Sequence, residues 1–169
     1  MDGSRIPRNT TIPRRTTTGM PRICGLMLLV LLPVVGGCGA GPGGSGDWTP
    51  EEREAVDSLI SGLGHLQAGI TALNQAGGGP RPTGAGRDRA LEHLRRAEAA
   101  TAGIGDSVLV KLHPELPVYF RARLRRGIED RIRSLEGGHL YRYSSAVTRL
   151  GEWADWYTRT RDAWNLPRR

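Results

Sequence analysis

Apolar residues recur at steps of three and four along most of the chain after residue 47, and this spacing places them on one face of an α-helix. The first stripe follows Thr49-Pro50, where a capping threonine and a proline at the first helical position predict a helix start. The stripe is a heptad-like seam of Val56, Leu59, Leu63, Leu66, Ile70 and Leu73. Because the stretch 77–86 is rich in glycine and proline, we expect the helix to end there.

Three further stripes complete the predicted domain. They predict helices over about 87–104, 117–136 and 141–164. The segment 107–112, SVLVKL, resembles a strand but has no evident strand partner, so we interpret it as a helix extension or a buried connector. Four amphipathic helices bury their stripes most simply as a small antiparallel four-helix bundle, and the predicted fold class is therefore all-α.

Three glycines, Gly62, Gly64 and Gly69, interrupt the first predicted helix. Each weakens a helix by up to about 1 kcal/mol relative to alanine. Close contact with a neighbouring backbone explains such glycines, and a bend or a ligand groove is the alternative.

An apolar run near the start of the chain, residues 23–35, follows a series of arginines and leads into two glycines and a cysteine. Its 13 residues fall short of the roughly 20 that a helix needs to cross a bilayer. A positive flank, a short apolar run and small residues are typical of a cleaved export signal. A tidier signal begins at Met20, which is an alternative start to Met1.

The residues Val35-Gly36-Gly37-Cys38 resemble the lipobox of bacterial lipoproteins. The resemblance implies that Cys38 receives a diacylglycerol, that the chain is cut just before Cys38, and that the new amino group is commonly acylated too. It covers only residues 1–38. An uncleaved anchor and an ordinary secretory signal are the alternatives.

The predicted organisation has three parts: a signal peptide over 1–37, an acylated cysteine with a flexible Gly/Ser-rich tether over 38–47, and a helical domain over 48–166. Two or more acyl chains hold a protein stably on a membrane, whereas one does not. We therefore expect a lipid-anchored protein of the bacterial cell envelope. It would lie on the outer membrane facing the periplasm, or on the outer face of the plasma membrane.

The net charge changes when the predicted signal is removed. The whole chain carries +7, but five of its 24 basic residues and only one of its 17 acidic residues precede Cys38, which leaves the remainder near +3. Nucleic-acid binding favours strong basic patches. We therefore expect no nucleic-acid partner.

Catalytic and metal-binding motifs are missing from the sequence. It contains no CxxCH, GxSxG, SxxK or HExxH. Histidine occurs at four dispersed positions, His65, His93, His113 and His139, and the spacing from Glu136 to His139 spans two glycines that predict a turn. We therefore predict no enzyme activity, no cofactor and no metal site.

Two features suggest an interaction surface. The third predicted helix is rich in arginine, and we select Arg121 and Arg125 as candidates to contact a partner. The aromatic residues concentrate toward the C-terminus, where Trp156 is expected to face away from Trp153 and is the third candidate. A solvated charged face and aromatic core packing are the alternative interpretations.

These patterns predict a lipid-anchored protein with a helical binding or scaffolding module. Its partners would be the membrane, through lipid on Cys38, and an envelope protein or an anionic lipid or polymer. The alternative is a bundle that carries or senses a small ligand or a metal between its helices.

Overall fold

The structure, a computed structural model, describes residues 48–167. The predicted signal, Cys38 and the predicted tether lie outside the described residues. Between residues 48 and 167 the protein is all-helical, without a strand. The elements are α1 (Pro50–Gln75), α2 (Gly84–Ala102), α3 (Asp106–Leu112), α4 (Leu116–Tyr119), a π-helical segment (Phe120–Arg125), α5 (Arg126–Gly137), α6 (Leu140–Thr160) and a 3₁₀ turn (Arg161–Ala163).

A reciprocal cap starts α1 where the sequence predicts it. The backbone N–H of Glu52 donates to Thr49 Oγ1 at 3.2 Å, and the backbone N–H of Thr49 donates to Glu52 Oε2 at 3.0 Å. This capping box satisfies two backbone donors that a helix start leaves free. The predicted seam is buried except at Ile70, which is partly buried and packs against the core.

Close packing between α1 and α2 explains two of the three glycines. A Cβ atom at Gly62 would lie 2.7 Å from Thr101 Cγ2, and one at Gly69 would lie 3.2 Å from Leu94 Cγ. Nothing lies within 4 Å of such an atom at Gly64. The prediction of close contact is thus confirmed for Gly62 and Gly69. The later residue of α1, Gly69, contacts the earlier residue of α2, Leu94.

The predicted boundaries of the second helix are wrong by two or three residues. It begins at Gly84 rather than Arg87 and ends at Ala102. Gly84 has φ +69°, a conformation that glycine adopts freely. The predicted strand-like run forms the separate helix α3, which buries Val108, Leu109 and Leu112.

The π segment follows from the spacing of the apolar residues around it. Buried side chains stand four residues apart at Leu116, Phe120, Leu124, Ile128 and Ile132. In a uniform α-helix four residues exceed one turn by about 40°, so the stripe would rotate by about 160° over its length. A π turn holds more residues because its hydrogen bonds join residues five apart. The wider turn therefore keeps the stripe on the core.

Gly138 ends α5 as predicted, with φ +66° in the left-handed region. The last helix, by contrast, ends at Thr160 rather than at Trp164. The backbone N–H of Asn165 donates to the Leu112 carbonyl at 2.9 Å. This bond holds Asn165 against α3. A continuation of α6 would carry Asn165 away from that position, so the helix ends earlier.

An ion pair between α1 and α3 makes stability depend on pH. Hydrogen bonds from Lys111 and then from the backbone of Thr49 lower the pKa of Glu52 below its ordinary value of 4.5. Because the folded pKa is lowered, this stabilisation is complete above pH 4.5 and is lost as the pH falls through the folded pKa. We expect Glu52→Gln to reduce the loss of Tm between about pH 5 and pH 3. Thermal unfolding followed by circular dichroism measures this.

The control for that experiment is Glu54→Gln, which changes an exposed acid on the same helix. It should follow the wild-type curve. Equal pH profiles for wild type and Glu52→Gln would show that the Lys111 contact does not contribute.

Candidate functional site

The helix α3 and the helical stretch that follows it fold back on each other. A short turn joins them, in which the backbone N–H of Leu116 donates to the His113 carbonyl at 3.0 Å. Farther from the turn, Arg121 forms an ion pair with Asp106. One helical turn from that pair along each element lie two valines, Val110 and Val118. The fold therefore brings these two side chains to the same side of the domain.

Both valines are unusually exposed for aliphatic residues. Val110 is 52% exposed and Val118 is 68% exposed. Val118, Arg121 and Arg125 are all exposed on the helical stretch that follows α3. We call the surface formed by Val110, Val118, Arg121 and Arg125 the basic-apolar face.

The two predicted arginines differ in their partners. Arg121 is exposed and pairs with Asp106. Arg125 is also exposed, and within residues 48–167 its side chain makes no hydrogen bond or ion pair. Both predicted cations thus lie at the surface, and Arg125 is available to bind an anion.

Trp156, the third predicted contact residue, is not at the surface. It is 2% exposed, its ring stacks on Tyr119 at 4.6 Å between centroids, and its Nε1–H donates to Glu115 Oε2 at 3.2 Å. The prediction of an exposed Trp156 is wrong because α4 covers that side of α6. The tryptophan supports the basic-apolar face from behind.

An aromatic cluster continues behind Trp156. Its ring lies 5.4 Å from Trp153, 5.4 Å from His113 and 6.1 Å from Trp164. Tyr157 packs against Trp153 and Trp164, and burial raises the pKa of its hydroxyl. Since fully packed aromatic side chains have little freedom to move, the cluster gives the face a rigid base.

Both ends of the described domain meet α3. The Lys111 ammonium lies over the Trp48 ring, 5.6 Å from its centroid, and also pairs with Glu52. At the other end of the chain, Asn165 donates to the Leu112 carbonyl. The chain therefore enters the domain at Trp48, next to the basic-apolar face.

Two charged residues of the arginine-rich helix point into the domain. The Arg131 guanidinium lies 4.7 Å from the Tyr143 ring centroid and donates to the Gly79 carbonyl at 3.1 Å. Burial lowers the pKa of Arg131. Asp130, only 4% exposed, accepts from Arg142 at 2.6 Å and from Arg149 at 2.5 Å. These contacts join α5 to α6 and leave neither side chain free to bind a partner.

The structure brings two of the four histidines together. The rings of His65 and His93 lie 5.8 Å apart across α1 and α2, and the buried Nδ1 of His93 has no hydrogen-bond partner. Among residues 48–167 no group of three or more histidine, cysteine, aspartate or glutamate residues is placed to hold a metal.

Comparisons with known proteins return no relative. No family model matches the chain, and no match occurs among curated proteins or solved structures. None of the helices in the described part of the chain is both long enough and apolar enough to cross a bilayer. Function is therefore inferred from the residues and their geometry.

Proposed function

We propose that this protein is a lipid-anchored component of the bacterial cell envelope whose helical domain is a binding or scaffolding module. Lipid on Cys38 would hold it to the outer membrane, facing the periplasm, or to the outer face of the plasma membrane. The domain would dock an envelope protein or an anionic lipid or polymer through Arg121 and Arg125. The observation that carries this proposal is the basic-apolar face.

Three properties of that face favour binding. Exposed valines beside an unpaired arginine combine apolar area with charge, and arginine is enriched where binding energy concentrates. Its two arginines, Arg121 and Arg125, lie on the π segment, and such segments frequently mark functional sites. The stacking of Tyr119 on Trp156 holds the backbone of α4 against α6 before a partner arrives, which reduces the ordering that binding requires.

An antiparallel four-helix bundle is the architecture we propose for the domain. The helices would be α1, α2, the stretch from α4 through α5, and α6. The order of contacts between this stretch and α6 supports it: Gly127 of α5 lies against Leu150, while Arg123 of the π segment, earlier in the chain, pairs with Glu152. The contacts between α1 and α2 run in the same opposed sense.

A metal- or ligand-carrying bundle is the second candidate. The His65–His93 pair favours it because two imidazoles supply half of a tetrahedral zinc shell. Copurified metal or a small adduct on the isolated protein would support this function over docking.

Native mass spectrometry of the full chain, expressed in a bacterium and released gently from its membrane, tests the anchor. We expect a chain that begins at Cys38 and carries acyl mass. The variant Cys38→Ala should retain the preceding residues and carry no lipid, because the acceptor thiol is gone. A second protein at fixed stoichiometry would identify the docked partner.

The matched control is Cys24→Ala, which removes the other cysteine and should be processed like wild type. A wild-type chain that retains the residues before Cys38 and lacks acyl mass would contradict the anchored function.

A further inference from the structure

We infer that the basic-apolar face docks onto the anionic phospholipid headgroups of the membrane that holds the protein, so that the helical domain lies in a defined orientation on its own anchor surface. This inference rests on the proposed function, because it assumes attachment through Cys38. It selects one partner for the face, a lipid surface rather than a protein.

The position of the anchor supports this occupant. Nine residues separate Cys38 from Trp48. A chain of that length spans at most about 35 Å even when fully extended. Trp48 contacts Lys111, and Lys111 directly follows Val110. The anchor therefore keeps Trp48, and the end of α3 that carries Val110, within about 35 Å of the lipid.

Charge around the face matches an anionic surface. Among the acids near it, Asp106 pairs with Arg121, Glu52 pairs with Lys111, and Glu115 accepts a hydrogen bond from the Trp156 indole. The excess positive charge of the face therefore rests on arginines outside these pairs. Arg125 and the adjacent exposed Arg126 have no ion-pair partner within the described part of the chain. Guanidinium groups form paired hydrogen bonds to phosphate oxygens.

The two valines add a contact that charge alone does not provide. Short aliphatic side chains beside arginines enter the boundary between headgroups and acyl chains, as on interfacial helices. A face of this size binds weakly by itself. Anchoring makes the contact intramolecular, so that a weak affinity suffices.

Docking in this way has a consequence for the opposite end of α6. Trp156 lies behind the face, and Tyr141 lies fifteen residues earlier on the same helix, about 22 Å along its axis. Tyr141 is 76% exposed and Leu140 is 57% exposed. These side chains are therefore separated from Trp156 by most of the length of α6, and the proposed contact does not include them.

The test uses the chain from Cys38 to Arg169, coupled through its single thiol to a maleimide lipid in vesicles. Chemical coupling imposes the anchor, so the result does not depend on whether cells acylate Cys38. Hydrogen exchange measured by mass spectrometry follows the peptides that cover residues 106–125. We expect about threefold slower exchange there on vesicles with roughly one-third phosphatidylglycerol than on phosphatidylcholine alone.

Variants and salt separate docking from general crowding at the surface. Arg125→Glu combined with Val118→Asp should abolish the slowing, and so should about 1 M salt, which shortens the screening length to about 3 Å. The control is Arg89→Glu combined with Val147→Asp, an exposed arginine and a valine that is 46% exposed on other helices. It should retain the slowing.

Three results would overturn the inference. They are unchanged exchange over residues 106–125 on anionic vesicles, equal slowing on both lipids, and loss of slowing in the control variant. Protection of the same peptides by a copurified protein and not by lipid would assign the face to a protein partner instead. If native mass spectrometry finds no acyl group but these vesicles still protect the face, the anchor fails and the lipid contact stands.

Discussion

Replacing Trp156 with alanine should lower the free energy of unfolding by about 3–5 kcal/mol, the usual range for a fully buried tryptophan. The ring is 2% exposed and contacts Tyr119 and Trp153. Its removal opens a cavity where α4 meets α6, and it leaves the Glu115 carboxylate without its indole donor. Urea unfolding followed by circular dichroism measures the change.

Two further variants separate the causes. Trp156→Phe keeps an aromatic ring but loses the bond to Glu115, so we expect a smaller loss of about 1–3 kcal/mol. Tyr141→Ala removes an aromatic from the exposed end of the same helix and should change stability by less than about 0.5 kcal/mol. A loss below about 1 kcal/mol for Trp156→Ala would mean that the ring is not part of the core.

Gly62→Leu should lower the free energy of unfolding by about 1–3 kcal/mol, although leucine favours helices more than glycine does. A Cβ atom there meets Thr101 Cγ2 at 2.7 Å, and the Thr101 hydroxyl donates to the Ala97 carbonyl. Because Thr101 is buried and hydrogen-bonded, relief of the clash requires α1 and α2 to separate. Urea midpoints report the loss directly.

The same substitution at Gly64 is the matched comparison. No atom lies within 4 Å of a Cβ there, so only the helix propensity changes. Gly64→Leu should stabilise the domain by up to about 1 kcal/mol. Similar effects at the two positions would contradict the close packing of α1 on α2.

Local signals in the sequence predicted the helices well. The Thr49 cap and the Gly138 stop each depend on residues within one turn, and both are confirmed. The boundary errors lie where local signals are weak: the N-cap Thr83 makes no side-chain capping bond at the start of α2, and the end of α6 depends on Asn165 bonding to α3.

The sequence contains a pattern that is compatible with the π segment, but the pattern alone does not predict it. Apolar residues repeat at steps of four from Leu116 to Ile132, and this repeat is longer than an α-helical turn. A drifting stripe and a widened turn both fit such a repeat. The choice between them depends on whether the whole stripe is buried, which packing against α6 decides.

Of the candidate contact residues, Arg121 and Arg125 are exposed as expected, while Trp156 is buried. The expectation that Trp156 faces away from Trp153 is also wrong, because residues three apart on a helix are only about 60° apart, and the two rings lie 5.4 Å from each other. Glu115, which binds the Trp156 indole, is 41 residues away in sequence. Asp130 and Arg131 were also missed, because their partners belong to other elements.

The sequence by itself determined an all-helical domain, its main apolar stripes and its caps, because these depend on residues three or four positions apart. Its lipobox resemblance predicts an anchor at Cys38, which lies outside the described residues. Only the tertiary structure decided that the buried side of α6 extends as far as Trp156 and that Arg131 points inward. It also decided that Val110 and Val118 form one face with Arg125. Each of these depends on which helices pack together, and that is set by contacts between residues far apart in the chain.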